Sequence, residues 1–249
     1  MSTRQRLDEA LVARGLYPSR SRARDAVLRG TVKIDGERAA KPSQTVGPNT
    51  VLTIEDEAQG YVSRAALKLK HGLVQFGIVA RGKNALDIGA STGGFTDCLL
   101  QRGVTSMTCV DVGTAQLHQK LRTDPRVTNF EKFNARDLPT AKLPHAVYGI
   151  VVMDLSFISL GLVLPVAWAR VAPGGHLVAL IKPQFEATRA EADKGRGIIK
   201  DPLIHARVVE TLTAASRELP GAEVLGVIPS PIEGGEGNKE FLICLTRQA

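Results

Sequence analysis

Strand-like apolar runs alternate with helical patterns from residue 84 to the end of this 249-residue chain. Such alternation predicts a mostly parallel β-sheet with helices on both faces, which is an α/β fold. The segment from Pro229 to Asn238, between the last two runs, is too short for a crossover helix, so we expect an antiparallel last strand. The predicted strands are 85–88, 106–110, 127–130, 147–153, 176–181, 223–228 and 241–245, and the clearest helices are 160–171 and 203–218.

A glycine-rich turn follows the first of these strands, in the stretch Ala85–Phe95. Gly93 and Gly94 lack a Cβ and are predicted to let the backbone come close to a ligand. A helix that begins near Gly94 would point free N–H groups at that ligand. Ser91 stands where the dinucleotide fingerprint G-x-G-x-x-G has its second glycine, so this is not the usual dinucleotide loop. An ordinary strand-to-helix turn is the alternative.

The second strand ends in an acid, Asp111, in the position from which a carboxylate can accept hydrogen bonds from both ribose hydroxyls of a nucleoside cofactor. An acid at the end of the first strand, followed by G-x-x-x-G-G, resembles the S-adenosylmethionine (SAM) loop of Rossmann-like class I methyltransferases. The resemblance implies SAM rather than NAD as the cofactor. The implied cofactor-binding residues are Asp87, Gly89, Ala90, Ser91, Gly93, Gly94, Phe95, Asp111 and Asp137.

Positive charge is concentrated at the start of the chain. The formal net charge is +7, and residues 1–42 hold ten Arg or Lys against five Asp or Glu. Helical patterns at 4–14 and about 20–30, the second capped by Ser19 or Ser21, precede strand-like segments at 32–34 and 50–54.

This order of elements and its basic second helix resemble the small RNA-binding domain first named for a ribosomal small-subunit protein, which also occurs in tyrosyl-tRNA synthetases and pseudouridine synthases. Clustered cations suit the phosphate backbone of RNA. A solvated pair of basic helices without a ligand is the alternative. The resemblance implies RNA contacts from Arg4, Arg6, Arg20, Arg22, Arg24, Arg29 and Lys33.

The polar segment Glu55–Gly60 has no periodicity and ends in glycine, which predicts a domain boundary. We therefore expect a small basic RNA-binding domain with its linker at 1–60 and a second domain at 61–249, which opens with a helix capped by Ser63. Two further polar segments, 184–202 and 232–238, also lack periodicity. Both follow strand ends, where open α/β sheets bind ligands, so functional loops are expected there.

Three ionisable residues stand at predicted strand ends. Asp154 and Lys182 each follow an apolar strand, and Glu240 precedes the last one. Lysine is a poor strand residue and is seldom buried unpaired, and Asp154 would give Lys182 a partner. A solvated strand-end residue is the alternative interpretation for each one alone. Three such residues at one edge of a sheet favour an active site.

These residues, the glycine loop and the segment Ser63–Leu69 together resemble FtsJ-like ribose 2′-O-methyltransferases, and the small domain in front makes the chain similar to the TlyA family. Segments 154–159, 182–186 and 195–202 resemble local motifs of that family. The resemblance covers nearly the whole chain. It implies SAM-dependent methylation of a ribose 2′-hydroxyl, of cytidine in this family, with ribosomal RNA or ribosomal subunits as the partner.

The resemblance also implies a Lys-Asp-Lys-Glu tetrad formed by Lys68, Asp154, Lys182 and Glu240. A ribose hydroxyl is a weak acid that must lose its proton as the methyl group arrives, and a neutral lysine can accept that proton. The family assigns this step to Lys182. Lys68 would stabilise the developing alkoxide, while the two carboxylates would orient the lysines and the hydroxyl.

Composition excludes several other classes. The cysteines Cys98, Cys109 and Cys244 have no paired or metal-binding spacing, so we expect buried thiols and no metal. The sequence shows no signal peptide and no apolar run of about 20 residues, which a spanning helix needs. We therefore expect a cytoplasmic protein, and a pore-forming cytolysin is disfavoured although many relatives carry the name hemolysin.

Other methyltransferase chemistries fit less well. An amino-group methylase usually has Asp or Asn-Pro-Pro-aromatic after the fourth strand, where this chain has Asp154-Leu155-Ser156-Phe157. A pyrimidine C5 methylase needs a cysteine nucleophile, and none lies near Asp154 or Lys182 in sequence. An RNA-binding protein with an inactive methyltransferase domain remains open, as do the nucleotide, the ribosomal subunit and the oligomeric state.

Overall fold

The computed structural model describes residues 4–234 and 237–249 and forms two compact units, Met1–Gly60 and Tyr61–Ala249. Each unit is built around hydrophobic side chains of its own. One buried cluster fills the small unit, and two clusters lie in the large unit.

In the small unit, two helices pack with short strands. Helix α1 spans Leu7–Ala13 and α2 spans Arg20–Arg29. Strand β1 (Gln5–Arg6) pairs with β4 (Thr45–Val46), and a second sheet has the order β3-β2-β5. Strands β2, β3 and β5 span Val32–Ile34, Glu37–Arg38 and Leu52–Ile54.

The predicted ends of α2 are confirmed. The Ser19 side chain accepts a hydrogen bond from the Arg22 N–H, and Gly30 closes the helix with a left-handed φ of 75°. The predicted start of α1 at residue 4 is wrong, because Gln5 and Arg6 pair with β4 as a strand. That pairing partner lies about forty residues away and leaves no local signal.

The segment Glu55–Gly60, predicted to be a linker, packs onto the small unit instead. The Asp56 side chain is only 1% exposed. Its carboxylate accepts hydrogen bonds from the Tyr17 hydroxyl at 2.7 Å and from the Arg29 guanidinium at 2.7 and 2.8 Å. Residues Glu57–Gly60 then form a 3₁₀ turn. A polar sequence without periodicity therefore contains a buried residue, Asp56, that holds the segment to the small unit.

The large unit holds a seven-stranded sheet with the order β11-β12-β10-β9-β6-β7-β8. The strands from β10 to β8 are parallel, and β12 is antiparallel to both of its neighbours. The predicted α/β fold and its antiparallel last strand are confirmed. The strands are β6 (Asn84–Ile88), β7 (Ser106–Val110), β8 (Val127–Phe130), β9 (Tyr148–Met153), β10 (Val171–Ile181), β11 (Ala222–Pro229) and β12 (Phe241–Arg247).

Helices cover both faces of this sheet. Successive strand residues alternate between two buried clusters, one including Leu69 and Leu99 and the other including Leu164 and Leu212. The helices are α3 (Ala65–Gln75), α4 (Gly94–Gln101), α5 (Gln119–Arg122), α6 (Leu160–Trp168), α7 (Pro183–Glu186), α8 (Arg189–Lys194) and α9 (Pro202–Arg217).

The polar segment 184–202 contains α7 and α8, which its lack of periodicity did not predict. Helix α8 starts with a capping box, in which the Thr188 side chain accepts the Glu191 N–H and the Glu191 carboxylate accepts the Thr188 N–H. The other segment expected to be a loop, 232–238, includes Gly235 and Glu236, which lie outside the described residues.

Candidate active site

The carboxyl edge of the parallel strands gathers the ionisable residues that follow them. Ile181 of β10 pairs with Phe241 of β12, so Lys182 and Glu240 are neighbours one residue beyond that pair. On the other side, the residue after β9, Asp154, donates its N–H to the Ile88 carbonyl of β6 at 3.2 Å. The sheet register therefore places all three side chains at one edge.

Four residues form two Lys–carboxylate pairs there. The Lys182 Nζ lies 2.6 Å from Asp154 Oδ1 and donates to the Ser156 hydroxyl at 3.0 Å. The Lys68 Nζ donates to Glu240 Oε2 at 2.5 Å. Lys68, Lys182 and Glu240 are buried and Asp154 is half-buried. Lysines are rarely buried without a partner, and here each has one.

Helix α3 brings Lys68 to Glu240 because it approaches β12 closely at Gly72. A Cβ at Gly72 would lie 3.4 Å from the Leu242 side chain, which is van der Waals contact. Lys68 is one helical turn before Gly72, on the same face of α3. Glu240 is two residues before Leu242 in the chain. The packing of α3 beside Leu242 thus places Lys68 near Glu240.

A cavity of about 140 Å³ opens beside the Lys182–Asp154 pair. Asp154, Ser156 and Lys182 form part of its lining, and Ser63 of the segment before α3 also borders it. Most of the residues predicted to bind a cofactor line the same cavity, namely Asp87, Gly89, Ala90, Ser91, Gly94 and Phe95.

Asp87 is fully buried at the base of this cavity. Its Oδ2 accepts a hydrogen bond from the Thr96 hydroxyl at 2.7 Å, whereas its Oδ1 has no hydrogen-bond partner among the described residues. Burial raises the pKa of Asp87 to about 7, opposed by the Thr96 hydrogen bond and assisted by the negative charge of Asp154. A buried carboxylate oxygen without a partner at a cavity suits a cationic or donor group of a ligand.

The glycines of the loop serve packing within the protein, which the sequence did not predict. Gly89 has a φ of 83°, and a Cβ there would lie 2.7 Å from the Asp154 carbonyl oxygen. Gly93 has a φ of 96°, and its Cβ would overlap the Leu121 side chain. A Cβ at Gly94 would lie 2.9 Å from a side-chain carbon of α3. The predicted start of a helix at Gly94 is confirmed by α4.

Asp111 and Asp137, also predicted to bind the cofactor, lie further out. The Asp111 carboxylate accepts the Ser91 N–H at 2.8 Å and the Gly113 N–H at 2.7 Å, so it is fixed at the end of β7. Each oxygen keeps a second lone pair for a ligand. Asp137 is exposed in a 3₁₀ turn. Neither of these acids lines the small cavity, and Gly93 does not line it either.

An aromatic pair near Lys182, in which Phe157 is exposed and Phe185 is half-buried, was not singled out by the sequence. Phe157 is 92% exposed and has a left-handed φ of 64°, which is strained for a bulky residue. Its ring centroid lies 5.2 Å from that of Phe185, and the Phe185 centroid lies 5.9 Å from the Lys182 Nζ. The sequence signal that could have revealed this pair is a phenylalanine in the polar turn that follows Asp154.

Glu186 ties together the loops that carry Asp154 and Lys182. Its carboxylate accepts the Ser159 hydroxyl at 2.7 Å and the Leu160 N–H at 2.6 Å, and burial raises its pKa. Ser159 caps α6, and Glu186 is the last residue of α7. No spacing rule predicts this contact, because it joins two separate crossover connections.

Arg29 differs from the other basic residues predicted to contact RNA. Its side chain is 15% exposed, and its guanidinium donates to both oxygens of Asp56 and, at 2.8 Å, to Asp25. Two carboxylates thus hold a largely buried Arg29, which favours a structural role over a contact with RNA. The other six are exposed or partly exposed: Arg4, Arg6, Arg20, Arg22, Arg24 and Lys33.

Three further observations concern metal-binding groups, cysteines and membrane-spanning helices. Within residues 4–234 and 237–249, no group of three or more His, Cys, Asp or Glu could hold a metal ion. The three cysteines are free and buried, as predicted, and burial raises the pKa of Cys98 and of Cys244 to about 12. None of the helices in the described ranges combines the length and the apolar character needed to cross a membrane.

Comparison with known proteins assigns the chain to a family. Residues 61–247 match the FtsJ-like methyltransferase family, and residues 5–52 match the S4 domain. The 16S/23S rRNA (cytidine-2′-O)-methyltransferase TlyA of Mycobacterium tuberculosis is 42% identical and aligns with 100% of this chain and 92% of its own. Hemolysin A of Brachyspira hyodysenteriae is 39% identical over 95% of this chain and 98% of its own.

A solved structure of a hemolysin-named protein from Streptococcus thermophilus is 40% identical, with a TM-score of 0.73, and covers 100% of this chain and 90% of that chain. The chain therefore belongs to the FtsJ-like methyltransferase family and, with an S4 domain in front of the methyltransferase domain, to its TlyA branch.

Proposed function

We propose that this protein transfers a methyl group from SAM to the ribose 2′-hydroxyl of a cytidine in ribosomal RNA. The observation that carries the proposal is the pair of Lys–carboxylate contacts, Lys182–Asp154 and Lys68–Glu240, at the carboxyl edge of a methyltransferase sheet. Membership of the TlyA branch, with an rRNA (cytidine-2′-O)-methyltransferase as a full-length relative, supports the substrate.

The residues around the small cavity suit SAM. The unpartnered Oδ1 of Asp87 would face the α-ammonium group, and Asp111 would hold the ribose hydroxyls, with Asp137 further out. Bound SAM supplies a methyl group that its sulfonium already activates. The protein therefore has to position the acceptor hydroxyl and remove its proton.

The tetrad divides that work between its two pairs. Lys182, in its neutral form, accepts the hydroxyl proton at Nζ, and Asp154 and Ser156 fix the position of that nitrogen. Lys68 supplies a positive charge that stabilises the developing alkoxide, while Glu240 holds Lys68 in place. Because Lys182 and Glu240 are neighbours across β10 and β12, both pairs can act on one hydroxyl.

The small unit would supply RNA affinity. Arg4, Arg20 and Arg24 are exposed, and the S4 domain has the basic second helix that the sequence analysis associated with RNA. Phosphate contacts from such residues add affinity that depends on salt but not on sequence. Near Lys182, the exposed ring of Phe157 offers a face on which a nucleobase can stack.

Two experiments test the proposal. Calorimetry should show binding of SAM or S-adenosylhomocysteine, and Asp111→Ala should weaken it. If NAD binds and SAM does not, the cofactor assignment is wrong.

Mapping 2′-O-methyl sites in rRNA from cells with and without the protein should reveal a cytidine that loses its methyl group. An unchanged map alongside intact SAM and RNA binding would favour the RNA-binding alternative with an inactive methyltransferase domain.

A further inference from the structure

The segment 188–201, here called the basic arm, consists of α8 and the turn that leads into α9. It carries four cations and three acids. Two of the acids are engaged by other groups of the arm or by α9: Glu191 binds Arg207 at 2.6 Å in addition to closing the capping box, and Asp201 caps α9 by accepting the Leu203 N–H at 2.9 Å. The third acid, Asp193, lies 3.8 Å from Arg189, which is one of the four cations.

The remaining cations, Lys194, Arg196 and Lys200, are exposed and have no acidic partner within residues 4–234 and 237–249. The arm therefore presents three positive charges that form no ion pair with a carboxylate of the described chain. Surface cations of like sign repel one another, so such a grouping favours binding of a polyanion.

The arm is held in a defined position by Asn238. The buried Asn238 side chain accepts the Ile199 N–H at 3.0 Å and donates to the Gly197 carbonyl at 3.0 Å. The Ile199 carbonyl in turn lies 2.9 Å from the Nε2 of the buried His205. Arg196 itself is held at a left-handed φ of 51°. The three charges thus stand on a fixed backbone, which reduces the entropy lost on binding.

Lys194 and Lys200 border one cavity of about 610 Å³, together with the engaged acids Glu191 and Asp201. A cavity of this size can admit a phosphate and its ribose. The arm follows Lys182 by way of α7, so it begins at the same edge of the sheet as the tetrad. In an RNA strand whose ribose lies at Lys182, the phosphates on either side of that ribose lie near this edge of the sheet.

We propose that the basic arm is a second RNA-binding surface, located on the methyltransferase unit, in which Lys194, Arg196 and Lys200 bind phosphates next to the methylated nucleotide. The inference rests on the proposed function for the identity of the polyanion. It assigns the methyltransferase unit an affinity for RNA of its own, separate from that of the S4 domain. Both surfaces contribute binding affinity, one beside the reacting ribose and the other in the S4 domain.

The test uses the full chain with Lys194→Gln, Arg196→Gln and Lys200→Gln combined, and unmethylated 16S and 23S rRNA transcripts as probes. Each phosphate contact contributes a slope of about 0.7–0.9 to the plot of log affinity against log salt concentration. Loss of three contacts should therefore reduce that slope by about two to three. The KM for rRNA should rise at least about tenfold, while kcat at saturating RNA and the affinity for S-adenosylhomocysteine stay unchanged.

A matched control replaces three other exposed cations of the same unit, Arg81→Gln, Lys142→Gln and Arg217→Gln. These residues lie before β6, before β9 and at the end of α9, which is the opposite edge of the sheet. The control has the same net charge and should keep nearly the wild-type slope. An unchanged slope in the arm variant, or equal reductions in both variants, would overturn the proposal. A wild-type chain that binds rRNA but methylates neither transcript would instead contradict the proposed function.

Discussion

The small and large units each bury a carboxylate against a cation, but they use different cations. In the small unit, Asp56 receives two hydrogen bonds from the Arg29 guanidinium and one from Tyr17. Burial favours the neutral form of Asp56, yet these hydrogen bonds outweigh burial and hold its pKa below the usual value. In the large unit, Asp154 and Glu240 each face a lysine, and the Asp154–Lys182 pair borders the small cavity.

The comparison shows that the type of cation decides whether such a pair only stabilises the fold or can also take part in a reaction. Arginine stays protonated in proteins and its planar fork satisfies both carboxylate oxygens, so the Arg29–Asp56 contact is closed and static. Lysine can lose its proton, and Lys182 borders a cavity where a substrate hydroxyl could reach it. The same charge complementarity therefore closes a structural contact in one unit, whereas in the other it holds a lysine in place beside a cavity.

The largest expected effect comes from Lys182→Ala. Loss of a well-placed general base typically reduces the rate about 10²–10⁴-fold, and single-turnover methyl transfer would measure it. The affinity for S-adenosylhomocysteine should change little, which would show that the variant is folded. Lys182→Arg should not restore activity, because a guanidinium cannot accept the proton.

The control for that experiment is Lys239→Ala, which removes an exposed lysine next to Glu240. It should retain nearly full activity. A Lys182→Arg enzyme with wild-type rates would remove the distinction between the two kinds of ion pair, because the pair in the large unit would then serve structure alone.

The second effect concerns the stability of the small unit. Asp56→Ala leaves Arg29 without its main partner, and breaking a buried pair in this way costs about 3–5 kcal/mol of unfolding free energy. Because the pKa of Asp56 is lowered, its contribution is present above the unfolded pKa of about 3.9 and is lost as the pH falls further. Denaturant unfolding of the wild type and the variant at pH 7 and pH 3 would measure the loss of unfolding free energy and its dependence on pH.

Glu55→Ala is the matched control, since Glu55 pairs with Lys33 at 2.6 Å but its side chain is 60% exposed. Exposed pairs contribute about 0–1 kcal/mol, so this variant should unfold almost like the wild type. Equal losses for Asp56→Ala and Glu55→Ala would show that the Arg29–Asp56 contact is not the structural anchor described here.

A third, smaller effect is a pH dependence of cofactor binding. The pKa of Asp87 is raised to about 7 by burial, so this carboxylate is mostly neutral at pH 6 and ionised at pH 8. An α-ammonium group requires the ionised form, and S-adenosylhomocysteine should therefore bind roughly tenfold more tightly at pH 8 than at pH 6. Asp87→Asn should remove the dependence in calorimetric titrations, and a wild-type affinity that is flat across this range would exclude the assigned contact.

The smallest effect compares two arginines of one helix. Arg24 is exposed. Arg24→Gln should reduce the slope of log RNA affinity against log salt concentration by about the contribution of one phosphate contact. Arg29→Gln should leave the slope unchanged and lower the stability of the small unit instead. A reversed outcome, with Arg29 affecting the slope, would restore its original assignment to RNA contact.

Local patterns predicted the fold well, and long-range contacts explain where they failed. The predicted strands 106–110 and 127–130 coincide with β7 and β8, because apolar runs between polar turns carry the signal. The start of α1 was wrong because Gln5 and Arg6 pair with β4. Helices α7 and α8 escaped notice because they are short and lack apolar periodicity: α7 begins with Pro183 and α8 with a capping box.

For the candidate site, residue types were easier to predict than contacts. Strand ends indicated Asp154, Lys182 and Glu240, and the family resemblance added Lys68, but no spacing rule joins Lys68 to Glu240 across 172 residues. Arg29 looked like its basic neighbours because charge alone does not reveal a buried partner. The open Oδ1 of Asp87 depends on three-dimensional packing and could not be foreseen.

The position of the transferred methyl group tests the central claim most directly. Unmethylated rRNA would be incubated with the protein and SAM carrying a radiolabelled methyl group, and the product hydrolysed in alkali. A methylated 2′-oxygen cannot attack its own phosphate, so we expect all label in alkali-stable dinucleotides that begin with cytidine, and none with Lys182→Ala. Label in alkali-released mononucleotides would place the methyl group on a base and contradict the account.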